Sequence, residues 1–230
     1  MTLLRSAATV SGLTLASRIT GLVRDVLIAR AFGAGPLTDA FWVAFRIPNL
    51  LRRLFAEGAF SQAFVPILGA ARAERSDDEI RQLLDRVALV LTLALMTVTA
   101  LGMVAAPWVV SAMASGLREA QRAGDFQSAV WMTRTMFPYI VCMSLVAFAS
   151  GVLNTWRRFA VPAFTPVLLN LAMIGAALWL APRFDPPIHA LAVGVLAGGV
   201  AQLAVQWAAL ARLGLAPRLA LRVRAAWRDS

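Results

Sequence analysis

Lysine is missing from this 230-residue chain, so all 22 basic residues are arginine. Genomic base composition accounts for that as readily as any use of guanidinium chemistry. Cysteine occurs once, as Cys142 inside an apolar run, which excludes an intramolecular disulfide and leaves the redox compartment open. Histidine also occurs once: His189 follows Pro186 and Pro187 where a helix is expected to begin, and it reads as an interfacial helix-end residue more than as a base or a metal ligand. There is no HExxH, no CxxC and no P-loop. Charged residues make up only 15% of the chain, against about 25% in soluble domains. These shortages leave no enzyme activity, cofactor or metal to expect. Ser11, Thr14, Ser17 and Arg18 interrupt what would be the apolar core of a signal peptide, and no A-x-A site follows, so a cleaved leader is not expected either.

What the chain does have is hydrophobicity, with 60% apolar residues and a mean hydropathy of +0.71. That is membrane-protein composition. Residues 87–110, 135–153, 161–181 and 188–210 contain no Asp, Glu or Arg, and each is long enough to span a bilayer. Two charged helices, expected near Thr9 to Phe32 and Asp39 to Leu68, bring the count to six. Between them Gly33 to Pro36 reads as a turn, with Thr38 or Asp39 as the next N-cap. The connecting stretches RAERSDDEIRQLLDR and SGLREAQRAGDFQSAV read as solvated surface or interfacial helices. Gly194 and Gly198 form GxxxG, read as packing within the bundle before a dimer interface. The fold class expected is therefore all-α and polytopic, with residues 1–212 forming a six-helix lobe and 213–230 a basic cytoplasmic tail or linker.

Orientation follows from arginine. Connectors on the side of the N-terminus hold twelve arginines and the opposite set holds five, so the positive-inside rule puts both ends in the cytoplasm. The net charge of +10 sits mainly in those connectors, where it meets anionic lipid; nucleic acid is disfavoured as a partner.

Residues 18–66 are the unusual part, carrying Arg18, Arg24, Arg30, Arg46, Arg52 and Arg53 against only Asp25, Asp39 and Glu57. An ionised side chain at the centre of a membrane helix costs about 2.5–3.5 kcal/mol, and each apolar residue returns only about 0.3–0.6. Lipid cannot therefore be the surroundings of all of them. At 100° per residue Ser17, Arg18, Arg24 and Asp25 fall with Ser11, Thr14 and Gly21 inside an arc of about 140°. A second stripe gathers Asp39, Arg46, Asn49, Arg53 and Glu57. If the two helices pack as an antiparallel hairpin, Arg30 meets Asp39, Asp25 meets Arg46, and Arg53 reaches Glu57 within its own helix. Arg18, Arg24 and Arg52 are then left without an acid. They either serve structure alone or line a wet cavity that binds an anion, for which the planar guanidinium fork is well matched to phosphate.

The same residues carry a family resemblance. Ser17-Arg18, Arg24-Asp25, the FGAG of residues 32–35, Thr38-Asp39-Ala40-Phe41, the PNLLRR of residues 48–53 and the EGAFS of residues 57–61 resemble the signature N-terminus of the MurJ (MviN) family of lipid II flippases, exporters of the multidrug/oligosaccharidyl-lipid/polysaccharide superfamily. The resemblance implies alternating-access movement of undecaprenyl-pyrophosphate-linked peptidoglycan precursor across the bacterial inner membrane. It assigns Arg18, Arg24 and Arg52, with Ser17, Asn49 and Arg53, to the pyrophosphate cavity, and Asp25, Asp39, Arg46 and Glu57 to gating or ion pairing. It also implies lipid II and membrane lipids as partners and a second transmembrane lobe outside this chain. A drug or polysaccharide-lipid exporter of the same superfamily, and a non-transporting membrane scaffold, are the alternatives.

Overall fold

The computed structural model describes residues 3–52, 59–113 and 123–218, and among these all regular structure is helical. Eight α-helices are described: α1 (Leu3–Phe32), α2 (Pro36–Arg52), α3 (Ala59–Glu74), α4 (Asp77–Met113), α5 (Ala123–Met136), α6 (Tyr139–Thr155), α7 (Ala160–Gly175) and α8 (His189–Arg212). The expected turn after α1 forms as anticipated. Gly33 adopts φ +66° and donates its amide to Ala29 O at 3.0 Å, a left-handed C-terminal cap that glycine adopts without strain. The start of α2 differs from expectation: Pro36 occupies the first turn, Gly35 O accepts from the Asp39 amide, and so neither Thr38 nor Asp39 is the N-cap.

Among the described residues four helical units are long and apolar enough to cross a membrane: α4, the α5–α6 pair over Gly124–Thr155, α7 with its continuation to Arg183, and α8. Two of them extend past the charge-free runs. Asp77 to Arg86 is helical, as expected, but runs on into the span as the beginning of α4 instead of forming a separate surface helix; Ser76 and Glu79 start it with a reciprocal capping box. Glu79 Oε2 accepts from Ser76 N and Oγ at 2.9 Å each. From Ala123 onward, the second expected connector is likewise the start of α5, and Arg134, counted among the loop arginines, lies within that helix. At Phe137–Pro138 the chain bends, with Ile140 N bonded to Phe137 O at 3.0 Å, and continues as α6.

The α5–α6 unit is the axis of the bundle. Met132, Met136, Tyr139, Ile140, Phe148 and Leu153 are fully buried, and residues on every face of α6 are covered, the mark of a central helix. Around it lie α2, α3, α4 and α8, while α7 packs on α8 and α1 on α7. On α4 the residues Val90, Leu93, Leu101 and Val104 are exposed, forming an apolar outer surface. Neighbouring units run in alternating directions: α8 is antiparallel to α7 (Gly194 beside Ala176, Gln206 beside Thr165) and parallel to α6 (Gly199 beside Tyr139, Gln206 beside Ser150).

Two helix-interior prolines free a carbonyl one turn back, and in each case a side chain claims it. Pro107 leaves Met103 O without its helical donor, and Arg134 Nε supplies one at 3.0 Å. Pro166 frees Pro162 O, which accepts from Thr165 Oγ1 at 2.9 Å; Thr165 is tied in turn to Gln206 Nε2 at 3.3 Å. The glycines of GxxxG face α7. A Cβ on Gly194 would lie 2.6 Å from Ala176 Cβ, and one on Gly198 would lie 3.0 Å from the Leu169 Cα, so both serve packing within the bundle. After α7 the helix widens into a π turn over Ala176–Leu180 and tightens again before Phe184.

The chain leaving α8 folds back instead of departing freely. Gly214 takes φ +70°, Leu215 is buried, and the Arg218 amide donates to Asp85 Oδ1 on α4 at 2.8 Å. At the same end Arg72 lies over the Trp156 ring, 4.7 Å from its centroid, and donates to the Thr155 carbonyl at the end of α6. Of the expected tail, residues 219–230 lie outside the described residues.

Candidate functional site

Arg24 is where the charged stretch meets the rest of the bundle. Its side chain is 18% exposed and bridges α1 and α7. Nη1 donates to Asn170 Oδ1 at 2.8 Å, while Nε and Nη2 both donate to Asp25 Oδ1, at 2.9 and 2.8 Å. Asn170, itself buried, donates its amide N–H groups to Ser17 O at 3.0 Å and Thr20 Oγ1 at 3.1 Å. Gly21 lies against this amide: a Cβ there would sit 3.5 Å from Asn170 Nδ2, an ordinary contact. One amide thus fixes the α1–α7 seam and aims a guanidinium at the same time. Three of Arg24's five N–H groups are engaged in these bonds. Asp25 is 53% exposed, whereas Asn170 is buried.

The hairpin expected from sequence does not pack as one. After the turn at Gly33, α1 lies along α7 and α2 lies along α5, so the arms diverge. The reason is that each arm finds a better partner far along the chain: α1 has Asn170, and α2 buries Ala40, Phe41 and Ala44 in the main core, where Phe41 and Phe45 stack with centroids 5.9 Å apart. Consequently the pairings Arg30 with Asp39 and Asp25 with Arg46 are not made; among the described residues none of Arg18, Arg30, Asp39 and Arg46 forms an ion pair. Arg24, expected to lack an acid, has Asp25 beside it. Arg18, Asp25, Asp39 and Arg46 are exposed, Ser17 and Arg24 half-buried. Asn49 and Arg52 lie on α2 with side chains outside the described residues, as are Arg53 and Glu57 altogether.

Two polar features escaped the sequence reading. Asn170 is the only amide or charged residue in the run 161–181, and that isolation was the available signal. The second is the network of Ser150, Thr165 and Gln206, where Gln206 Oε1 accepts from Ser150 Oγ at 3.0 Å and clamps α6, α7 and α8 together. His189 opens α8 and stacks on Trp131 at 4.3 Å, an interhelical contact. Among the described residues no group of His, Cys, Asp or Glu could hold a metal ion.

An all-helical bundle with several units long and apolar enough to cross a membrane, and an arginine held half-buried at a helix seam, defines a multi-pass membrane protein. Its family is shown by sequence. A family model described as "Lipid II flippase MurJ" matches residues 28–230, and the chain belongs to that family. It is 54% identical over 221 residues to the lipid II flippase MurJ of Burkholderia cenocepacia, covering 96% of this chain and 42% of that protein. With the probable lipid II flippase MurJ of Haemophilus influenzae it shares 43% identity, covering 94% of this chain and 43% of the relative. A solved structure, "Lipid II flippase MurJ, inward closed conformation", superposes with a TM-score of 0.73 at 28% identity over 88% of this chain and 42% of its own. The chain thus spans somewhat over two fifths of the length of the relatives it matches.

Proposed function

We propose that this chain is the N-terminal lobe of a lipid II flippase and supplies the arginine-bearing wall of its translocation cavity. The observation that carries the reading is Arg24: a guanidinium anchored by a buried amide on another helix, with its side chain still 18% exposed. Arg18, Arg52 and Arg53, with Ser17 and Asn49, complete the pyrophosphate-binding wall, and Asp25, Asp39, Arg46 and Glu57 act in gating. Asp25 is the counter-ion that an incoming pyrophosphate replaces. Six spans are proposed, α1 and the α2–α3 arm joining the four apolar units. The alternating directions of α4 to α8 support this, as does the arginine asymmetry that puts the N-terminus in the cytoplasm of an inner membrane. Residues 1–212 form the lobe, and 213–230 lead towards a second lobe that provides the opposite wall, since alternating access needs two bundles rocking about a site between them.

Binding tests the reading. The purified chain in nanodiscs is titrated with undecaprenyl pyrophosphate and with undecaprenol. Preference for the pyrophosphate that falls about tenfold or more in Arg24→Ala, as the loss of one charge-assisted bond of about 1.5–3 kcal/mol implies, supports the proposal. Equal binding of both lipids favours a drug-exporter relative. Indifference to Arg18→Ala, Arg24→Ala and Arg52→Ala beyond stability favours a scaffold.

A further inference from the structure

The turn from α6 into α7 carries an arginine where a helix end favours glycine. Arg157 has φ +57°, and among the described residues no other non-glycine residue adopts a positive φ. The bonds around it require that conformation. Arg158 N donates to Leu153 O at 2.8 Å and Arg157 N to Asn154 O at 2.9 Å, the double closure that ends a helix on a left-handed residue. Glycine takes that conformation freely, whereas a side chain there strains the backbone. Packing does not call for the side chain, because Arg157 is exposed. Strain kept without a packing reason points to a use for the group that causes it.

Two further guanidinium groups gather at this turn. Arg158 follows and is exposed, and α3 brings Arg72 over the Trp156 ring, 4.7 Å from its centroid, where it donates to the Thr155 carbonyl. The level of the turn in the membrane is fixed by sequence, since the charge-free runs 135–153 and 161–181 lie on either side of it. Trp156, half-buried, and Phe159, exposed, are aromatics suited to that level. The acids at this end have other partners: Asp78 lies 3.9 Å from Arg81, Glu79 accepts from Ser76, and Asp85 accepts from the Arg218 amide. Residues 219–230, outside the described residues, hold Arg222, Arg224 and Arg228 against Asp229 alone, so by composition they add positive charge. Glu57 and Glu119 are separated from this end by the lengths of α3 and α4. A zwitterionic headgroup would bring its own cation to three arginines; a headgroup of net negative charge would not. We infer that Arg72, Arg157 and Arg158 bind the phosphate of an anionic phospholipid. Which leaflet that lipid occupies rests on the orientation proposed above; the binding itself does not.

The test is thermal unfolding of the full chain in phosphatidylcholine nanodiscs titrated with phosphatidylglycerol. The midpoint in neutral lipid reads stability, and its rise with anionic lipid reads binding. In neutral lipid Arg157→Gly is expected to unfold about 2–4 °C higher, because the left-handed residue is relieved. Its response to phosphatidylglycerol should nevertheless be weaker, with about fivefold more anionic lipid needed for the same rise, the share of one basic residue at an anionic surface. Arg158→Gln should weaken the response as much, without the gain in stability. Arg212→Gln, which removes an exposed arginine from the end of α8, should leave most of the response intact. Free glycerol phosphate added to phosphatidylcholine discs should produce no rise. Four results would each overturn the inference: Arg157→Gly no more stable than the unaltered chain, an undiminished response in Arg157→Gly/Arg158→Gln, equal weakening by Arg212→Gln, or an equal rise with free glycerol phosphate. None of them involves pyrophosphate binding at Arg24, so failure here is distinct from failure of the proposed function.

Discussion

Replacing Asn170 with alanine is the sharpest perturbation the structure offers, because one side chain makes three bonds between α7 and α1. Two are neutral, to Ser17 O and Thr20 Oγ1, and one accepts from the Arg24 guanidinium. Interhelical bonds in a bilayer average about 0.6 kcal/mol, and a bond to an ionised donor contributes about 1.5–3 kcal/mol. Solvent access to Arg24 compensates part of the latter. The expected loss is about 2–3 kcal/mol, or about 5–10 °C in the unfolding midpoint of a chain this size. The assay is thermal unfolding of the purified chain, repeated as a double-mutant cycle with Arg24→Gln. A coupling of at least about 1 kcal/mol between the two positions is expected, since they share a bond. A loss below about 0.5 kcal/mol, or additivity of the two changes, would refute the claim that Asn170 holds both the seam and the guanidinium.

Other expected outcomes are independent of that one. Gly194→Ala, whose Cβ would meet Ala176 Cβ at 2.6 Å, should lower stability by about 1–3 kcal/mol, while Gly69→Ala, with nothing within 4 Å, should be neutral or slightly stabilising; unfolding midpoints of the two compare directly. Arg134→Ala should cost about 1–3 kcal/mol by orphaning Met103 O and clearly less in a Pro107→Ala background; equal costs in both would contradict the proline account. Asp85→Ala should release the segment docked on α4 and speed tryptic cleavage after Arg218, with no change at Arg134. Single cysteines at Glu74 and Asp185 on a Cys142→Ala background should label from opposite sides of the membrane, and same-side labelling would contradict the six-span topology.

The parts of the fold that could be read from sequence are those where one signal dominates. The α8 span was placed within two residues at each end because its apolar run is bounded by proline on one side and arginine on the other. Gly33 gave the stop of α1 because only a left-handed residue closes that helix. The polar starts of α4 and α5 read as helix from sequence but as separate surface helices, because charge density marks solvent exposure and does not show that the helix continues into the span; for α4 the Ser76–Glu79 capping pattern marks where the long helix begins. Partner choice was the larger error. A short turn between adjacent helices suggests that they pack together, yet the diverging arms answer to partners far along the chain, α1 to α7, where Asn170 lies 146 positions from Arg24, and α2 to α5. The importance of Arg24 was legible from its charge; what holds it was not, because a single asparagine in an apolar run marks a polar contact without naming the partner.

Complementation tests the central claim most directly. Residues 1–230 are expressed in cells depleted of their own flippase, alone and together with a separately expressed C-terminal lobe from the Burkholderia cenocepacia relative. The account predicts no rescue by the chain alone, rescue by the pair, and loss of that rescue on Arg24→Ala with both proteins still present in the membrane. Rescue by the single lobe as a monomer, or undiminished rescue by the Arg24→Ala pair, would contradict it.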